Sequence, residues 1–363
     1  MISDNRVKKN CLLFLRNKRV NDFTPVEAVI QQCASHGYYF DSVVYAAYDS
    51  SFEITTALNS ALKNYENTVI ICPKVMENTI KKYIVNGHGG EFSELGVFKY
   101  DNLNTFILFS DTANRLQVSD ICTILNKKYN ERYERAYIKT VGAPNMLLNS
   151  AIAEIKKCCP KSYVNVSEKY GDCSIEIVYD CNTSKSALDN GIRAALVILN
   201  DYVYTLDNSS LNERLVQLLK LRRLKISVAE SFTGGGIGKR LVDIPGVSEV
   251  YFEGLNTYSN EAKIARLGID ENVLAEYGAV SGEVAMQMAE GLIKTGNCDV
   301  SIATTGIAGP KSDNTKKPVG LLYIAVSTAD GTNVFEYNLK GSRESITQTA
   351  INLAMFEAYK RIK

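Results

Sequence analysis

Four short apolar runs punctuate the start of the chain: Cys11 to Leu15, Ser42 to Ala47, Thr68 to Cys72 and Thr105 to Phe109. Amphipathic helical patterns fill the gaps between them. Runs that are apolar throughout, rather than alternating, suit strands covered on both faces. Strand and helix in alternation imply a mainly parallel sheet between two helical layers. The first helix is predicted at Thr24-Pro25-Val26-Glu27, with Thr24 as N-cap, Pro25 at the first helical position and Glu27 at the third.

The pattern changes after residue 132. A strand is expected at Tyr137 to Val141, then a helix starting near Pro144. Two strands, Tyr163 to Val166 and Ser174 to Tyr179, are separated by Lys169-Tyr170-Gly171-Asp172 and read as an antiparallel hairpin. A helix comes next, from about Ser184 to Leu199. The polar stretch Thr205-Leu206-Asp207-Asn208-Ser209-Ser210 reads as a boundary. Beyond it come a helix, Leu211 to Arg223, and the strand Ile226 to Ala229. Further strands are expected near Gly254 to Tyr258, Val300 to Thr304, Leu321 to Ser327 and Asn333 to Asn338. The last helix, Ser342 to Ile362, places Ile346, Ala350, Leu353, Ala354 and Ala358 on one face, with Gln348, Asn352 and Lys363 away from it. The fold class is therefore α/β in three domains: 1–132, 133–205 and 206–363. Such a division is reasonable for 363 residues.

Composition narrows the chemistry. The net charge is +1, and residues 206–363 hold 18 basic and 18 acidic side chains. That is no electrostatic footprint for nucleic acid or an anionic membrane, so neither is expected as a partner. Nine cysteines are scattered without a Cys-x-x-Cys pair, and Cys158 and Cys159 are adjacent. They read as reduced thiols of a cytoplasmic protein. The opening Met1-Ile2-Ser3-Asp4-Asn5-Arg6 lacks a signal peptide's apolar stretch. The only histidines are His36 and His88. Acid–base work in residues 206–363 must be done without histidine, which excludes a Ser-His-Asp triad and histidine-bound zinc there. Sixteen of the 24 glycines lie in that same region, where they permit loops that approach a ligand closely.

Five motifs stand out there. Ala229-Glu230-Ser231-Phe232-Thr233-Gly234-Gly235-Gly236 leads from a strand through a glycine turn into a helix. Its outward N–H groups would suit a phosphate or an oxyanion, though a plain strand-to-helix turn fits equally well. In Asn256-Thr257-Tyr258-Ser259-Asn260-Glu261-Ala262-Lys263, Ser259 or Asn260 can cap a helix that holds Lys263 in its first turn. Desolvated, Lys263 could act as general base to a serine; otherwise it is an exposed surface lysine. Thr304-Thr305-Gly306-Ile307-Ala308-Gly309-Pro310 forms a loop at a strand's carboxyl end, where open α/β sheets bind ligands. Lys316-Lys317-Pro318-Val319-Gly320 reads as a mobile loop. In Gly341-Ser342-Arg343, the arginine could hold a phosphate or carboxylate, or make an ordinary salt bridge.

The motifs together resemble one family. Residues 209–363 look like the C-terminal domain of CinA proteins, the nicotinamide mononucleotide amidohydrolase domain. The resemblance rests on A-E-S-F-T-G-G at 229–235, Y-S-N-E-A-K at 258–263, G-A-V-S at 278–281, T-G-I-A-G-P at 305–310, K-P-V-G at 317–320 and G-S-R at 341–343. It implies hydrolysis of the carboxamide of nicotinamide mononucleotide to nicotinic acid mononucleotide and ammonia, without a metal. Ser231 would be the nucleophile and Lys263 its base, with Tyr258 and Asn260 positioning Lys263 or the substrate. Thr233, Gly234, Gly235, Thr305, Gly306 and Arg343 would bind the substrate. A homodimer is implied as well. Two positions depart from the family pattern: Phe232 stands where Cys is frequent, and Thr347 where a second arginine often follows Arg343.

Residues 133–205 resemble the small α+β, KH-like middle domain of full-length CinA proteins. They lack a G-x-x-G loop, so a structural spacer is the expectation. Residues 1–132 match in order the family's Rossmann-like, molybdopterin-binding-like domain, which in full members cleaves ADP-ribose with a metal such as Mg²⁺. Here the third strand runs into Pro73-Lys74-Val75-Met76-Glu77 without a glycine phosphate loop. A degenerate, silent domain is expected, and Mg²⁺ would matter only if it were active. The competing readings are a nucleotide-binding sensor without catalysis and a surviving metal-dependent pyrophosphatase.

Overall fold

The computed structural model describes residues 10–19, 22–101, 103–129, 132–311 and 317–363. Met1 to Arg6 and Lys316 lie outside the described residues. The chain divides into two compact units, one built mainly from residues up to 135, the other mainly from residues 136 onward. Residues 161–163 and 178–183 belong to the first.

The first unit is a five-stranded sheet with helices on both faces. The elements run β1 (Asn10–Arg16), α1 (Thr24–Ala34), β2 (Ser42–Ala47), α2 (Ser51–Asn64), β3 (Asn67–Cys72), α3 (Glu77–His88), β4 (Val97–Tyr100), β5 (Leu103–Phe109) and α4 (Val118–Tyr129). The order is β2-β1-β3-β5-β4. All neighbours are parallel except β4 against β5. Alternate strand residues supply two separate cores, as the two-residue period of a strand requires. Leu12, Phe14, Val69 and Ile71 pack with Val26, Val29 and Ile121 of α1 and α4. Leu13, Leu15, Ile70 and Cys72 pack with Leu58, Ile80 and Ile84 of α2 and α3. Thr24 is not the cap of α1 but its first residue, and its N–H is taken by the Asp22 carboxylate at 2.9 Å. An aspartate two residues upstream offers a stronger, charged acceptor than the threonine hydroxyl.

Then follow β6 (Tyr133–Val141), α5 (Asn145–Cys158), β7 (Tyr163–Lys169), β8 (Asp172–Asp180), α6 (Lys185–Leu199) and β9 (Val203–Thr205), which apart from residues 133–135, 163 and 178–180 belong to the second unit. The strand order is β7-β8-β6-β9. Tyr170 and Gly171 turn the β7–β8 hairpin with φ of 56° and 78°.

Next come α7 (Leu211–Arg222), β10 (Ile226–Glu230), α8 (Gly236–Val242), β11 (Tyr251–Asn256), α9 (Asn260–Leu267), α10 (Glu271–Tyr277) and α11 (Gly282–Ile293). The chain ends with β12 (Val300–Gly306), β13 (Leu321–Thr328), β14 (Gly331–Asn338) and α12 (Arg343–Ile362). The sheet order is β11-β10-β12-β13-β14, with β10 parallel to both neighbours and β13 antiparallel to both of its own. Val228, Ile302, Ile324 and Val326 face α7, α8 and α12. The small residues Ala229, Ala303 and Ala325 face α9, α10 and α11, letting those helices lie close. Ser210 and Glu213 form a reciprocal capping box on α7.

One expectation about α12 is overturned. The helix is covered on most of its circumference, and Asn352 is buried rather than turned to solvent. Arg240 of α8 donates to Asn352 Oδ1 through Nη1 and to Gln348 Oε1 through Nη2, the latter at 2.7 Å. A polar residue is tolerated inside because its amide is satisfied on both sides: Asn352 Nδ2 donates to the Tyr170 carbonyl at 2.9 Å.

Candidate active site

β10 lies between two parallel strands, and all five of its residues are buried. Ser231 comes directly after it, and its N–H still donates to Thr304 O of β12 at 3.1 Å. The serine is thus fixed at the carboxyl end of an interior strand, 9% exposed. The chain then reverses. Gly234 N donates to Ser231 O and Gly236 N to Thr233 O. Gly234 and Gly235 have φ of 60° and 93°, a region that other residues enter only at a cost. A side chain on Gly235 would also press on Asn256 Nδ2.

The N–H groups of this turn do not all point to a ligand, as the sequence suggested they would. Glu230, 1% exposed, takes three of them. Its Oε2 accepts from Gly235 N and Ile237 N, both at 3.1 Å, and its Oε1 from Gly238 N at 2.9 Å. The first turn of α8 is therefore occupied by the protein's own carboxylate, which suits the positive end of a helix. Two backbone donors of the turn, Phe232 N and Thr233 N, have no acceptor among the described residues.

Lys263 comes from α9, which Ser259 caps by accepting from Ala262 N at 3.2 Å. Its side chain is not on the surface: it is 1% exposed. Nζ lies 3.1 Å from Ser231 Oγ, 2.8 Å from Thr257 O and 3.1 Å from Tyr258 O. No carboxylate pairs with it among the described residues. Burial alone lowers its pKa from 10.5 to about 8.

The other expected residues divide into two groups. Thr233 is buried, its hydroxyl 2.7 Å from that of Thr304. Thr305 is buried and donates to Ala279 O at 2.7 Å. Gly306 packs so tightly on β13 that an added Cβ would fall 2.5 Å from Leu322 Cβ and 3.0 Å from Phe232 Cε1. These residues hold the loops after β10 and β12 around Ser231. Lys317 extends the same scaffold, donating to Tyr277 O and Val280 O at 2.7 and 2.6 Å. The remainder stand further out. The Tyr258 ring is 68% exposed, so its contribution to the lysine is its carbonyl. Asn260 is exposed at the start of α9. Arg343 is exposed at the start of α12 and donates to Gly309 O at 2.6 Å. Thr347 is half-buried on α12. Sequence reasoning missed Glu230, although a carboxylate between an apolar strand and a glycine turn was the available signal.

A three-layer α/β domain with a buried serine–lysine pair at the end of an interior strand defines a class. The model of the CinA C-terminal domain matches residues 208–362. The chain belongs to the CinA family: a CinA-like protein of Fervidobacterium nodosum is 35% identical over 309 residues, 84% of this chain and 74% of that relative. A competence-damage inducible protein of Caldicellulosiruptor saccharolyticus is 45% identical over 172 residues. That match covers 47% of this chain, which spans only 42% of that relative's length. The crystal structure of competence/damage inducible protein CihA from Agrobacterium tumefaciens covers 42% of this chain and 93% of its own, at 34% identity and a TM-score of 0.40. Among the described residues no helix is long and apolar enough to cross a membrane.

Proposed function

We propose that the chain hydrolyses the carboxamide of nicotinamide mononucleotide to nicotinic acid mononucleotide and ammonia, by covalent catalysis at Ser231. The observation that carries this reading is the contact of Lys263 Nζ with Ser231 Oγ at 3.1 Å, in a buried setting that lowers the amine's pKa to about 8. A neutral amine has two N–H groups and one lone pair. The carbonyls of Thr257 and Tyr258 take the two N–H groups, and the lone pair is left for the serine proton.

Ser231 Oγ attacks the amide carbon as its proton passes to Lys263 Nζ. The C=O pair moves onto oxygen, and the N–H groups of Phe232 and Thr233 are the available donors for that oxyanion. Collapse breaks the C–N bond, and Lys263 returns the proton to the leaving nitrogen as ammonia departs. Water then adds to the acyl-serine and gives its proton to Lys263. Collapse of this second intermediate releases the carboxylic acid and restores the serine. The scheme calls for no metal. Arg343 and the loop at Gly306 are the proposed substrate contacts, and a cytoplasmic homodimer is the assembly that goes with this reading.

The test is ammonia release from nicotinamide mononucleotide with EDTA present, for the native chain and Ser231→Ala. Release by the native chain that vanishes in the variant supports the reading. A native chain that binds the nucleotide and releases nothing overturns it in favour of a sensor.

A further inference from the structure

The second unit has a cleft that the candidate active site leaves without a role. Its volume is about 560 Å³, and its lining includes Lys139 of β6, Lys169 of β7, Asp172 of β8, Arg240 of α8, and Gln348 and Asn352 of α12. That volume is in the range of small-molecule sites, roughly 300–1,000 Å³. Three cations meet there, and among the described residues none is ion-paired. Arg240 is the most constrained. Its Nη1 and Nη2 donate to the neutral amides of Asn352 and Gln348, and Asn352 is itself held by Tyr170 O. The guanidinium plane is fixed and partly desolvated, and the charge facing it is that of Asp172, with which it makes no direct ion pair. Lys139 Nζ reaches only the Asn208 carbonyl, at 3.0 Å, and Lys169 lies over the Tyr170 ring.

Two acids, Asp172 and Glu168, line the cleft beside the three cations, and each also accepts a hydrogen bond. Asp172 Oδ1 accepts from the Tyr204 hydroxyl at 3.0 Å, and Glu168 Oε1 from Gly171 N at 2.7 Å. A fixed guanidinium fork in a cleft lined by three cations and two carboxylates leaves a net positive charge, which suits a phosphate that the fork can grip through two oxygens. The cleft is also much larger than an inorganic anion. We propose that it binds a small organic phosphate, with the phosphate between Arg240, Lys139 and Lys169. This site is independent of any chemistry at Ser231.

Titration calorimetry of the full chain at constant ionic strength tests it, with ribose 5-phosphate and inorganic phosphate as probes. Ribose 5-phosphate is expected to bind saturably at the cleft and tighter than inorganic phosphate; any binding at the Ser231 site, where the sugar phosphate of the proposed substrate would sit, is removed in Arg343→Ala and leaves the cleft's binding in place. Arg240→Lys keeps the charge but loses the planar fork, and should weaken binding about tenfold. Lys169 is exposed, so Lys169→Ala leaves the fold intact and should weaken binding about fivefold. Arg343→Ala should leave the cleft's affinity unchanged. The proposal is overturned by the absence of saturable heat, by ribose 5-phosphate binding no tighter than phosphate, by unchanged affinity in Lys169→Ala, or by loss of all binding in Arg343→Ala.

Discussion

β3 of the first unit and β10 of the second share one feature: each is buried between two parallel strands of a five-stranded sheet. They differ in the turn at their carboxyl ends. β3 runs through Pro73 into a short turn at Lys74–Met76, where Lys74 pairs with Glu77 at 2.5 Å and lies over the Phe109 ring at 4.0 Å. That ammonium is half exposed. β10 runs into a serine and a glycine turn, and the lysine that meets it is buried without a carboxylate. One architecture thus presents a lysine in two ways. A solvated, paired lysine is an ordinary surface cation. A buried, unpaired one is the kind whose proton can be moved near neutral pH.

The sharpest way to break this comparison is to remove the buried amine. Lys263→Met keeps the length of the side chain and deletes the proposed base. Ammonia release should fall about 10³-fold or more, while urea unfolding should show a loss of no more than about 1–3 kcal/mol, from the Thr257 and Tyr258 carbonyls left without their donor. A variant that keeps its rate would remove Lys263 from the proposed mechanism.

Glu230 gives the next largest effect. Glu230→Gln replaces an acceptor of three N–H bonds by an amide whose NH₂ must face a donor. The expected cost is about 2 kcal/mol in urea unfolding, with a lower rate as the turn holding Ser231 loosens. Glu77→Gln, in the exposed counterpart, should cost less than about 1 kcal/mol. Equal costs would mean that the two turns are not built differently.

The pH dependence comes third, and its sign is set by the direction of the shift. In the proposed mechanism Lys263 is a base only when neutral, and its pKa is lowered to about 8. The rate should rise about tenfold from pH 7 to pH 9 and level off above that. A rate that falls over this interval would mean that the charged form is the useful one. Stability shifts in the same direction. Between about 8 and the ordinary 10.5, the unfolded chain holds more protons at Lys263 than the folded one, so stability also rises with pH across that window.

How much of this was legible in the sequence depends on the range of the interaction. The strands of the first unit could be read because each is a local apolar run. The serine, the lysine and the loops around them were legible through motifs that resemble a family. What the motifs could not carry was partnership at a distance. The capture of the α8 N–H groups by Glu230 depends on the chain reversing at Gly234 and Gly235. The burial of Asn352 depends on Arg240, 112 positions away in sequence. The exposure of the Tyr258 ring could not be foreseen either, because the useful atom of that residue is its backbone oxygen.

The smallest expected effect sharpens the comparison from the other side. Lys74→Ala removes an exposed ion pair and a ring contact at the end of β3. Exposed pairs contribute about 0.5 kcal/mol, which corresponds to a melting shift of about 1–2 °C. Ammonia release by the full chain should stay within error of the native rate. A clear loss of release in Lys74→Ala would show that the turn after β3 contributes to function despite its paired, solvated lysine. Burial without a counter-charge would then no longer be what separates the two strand ends.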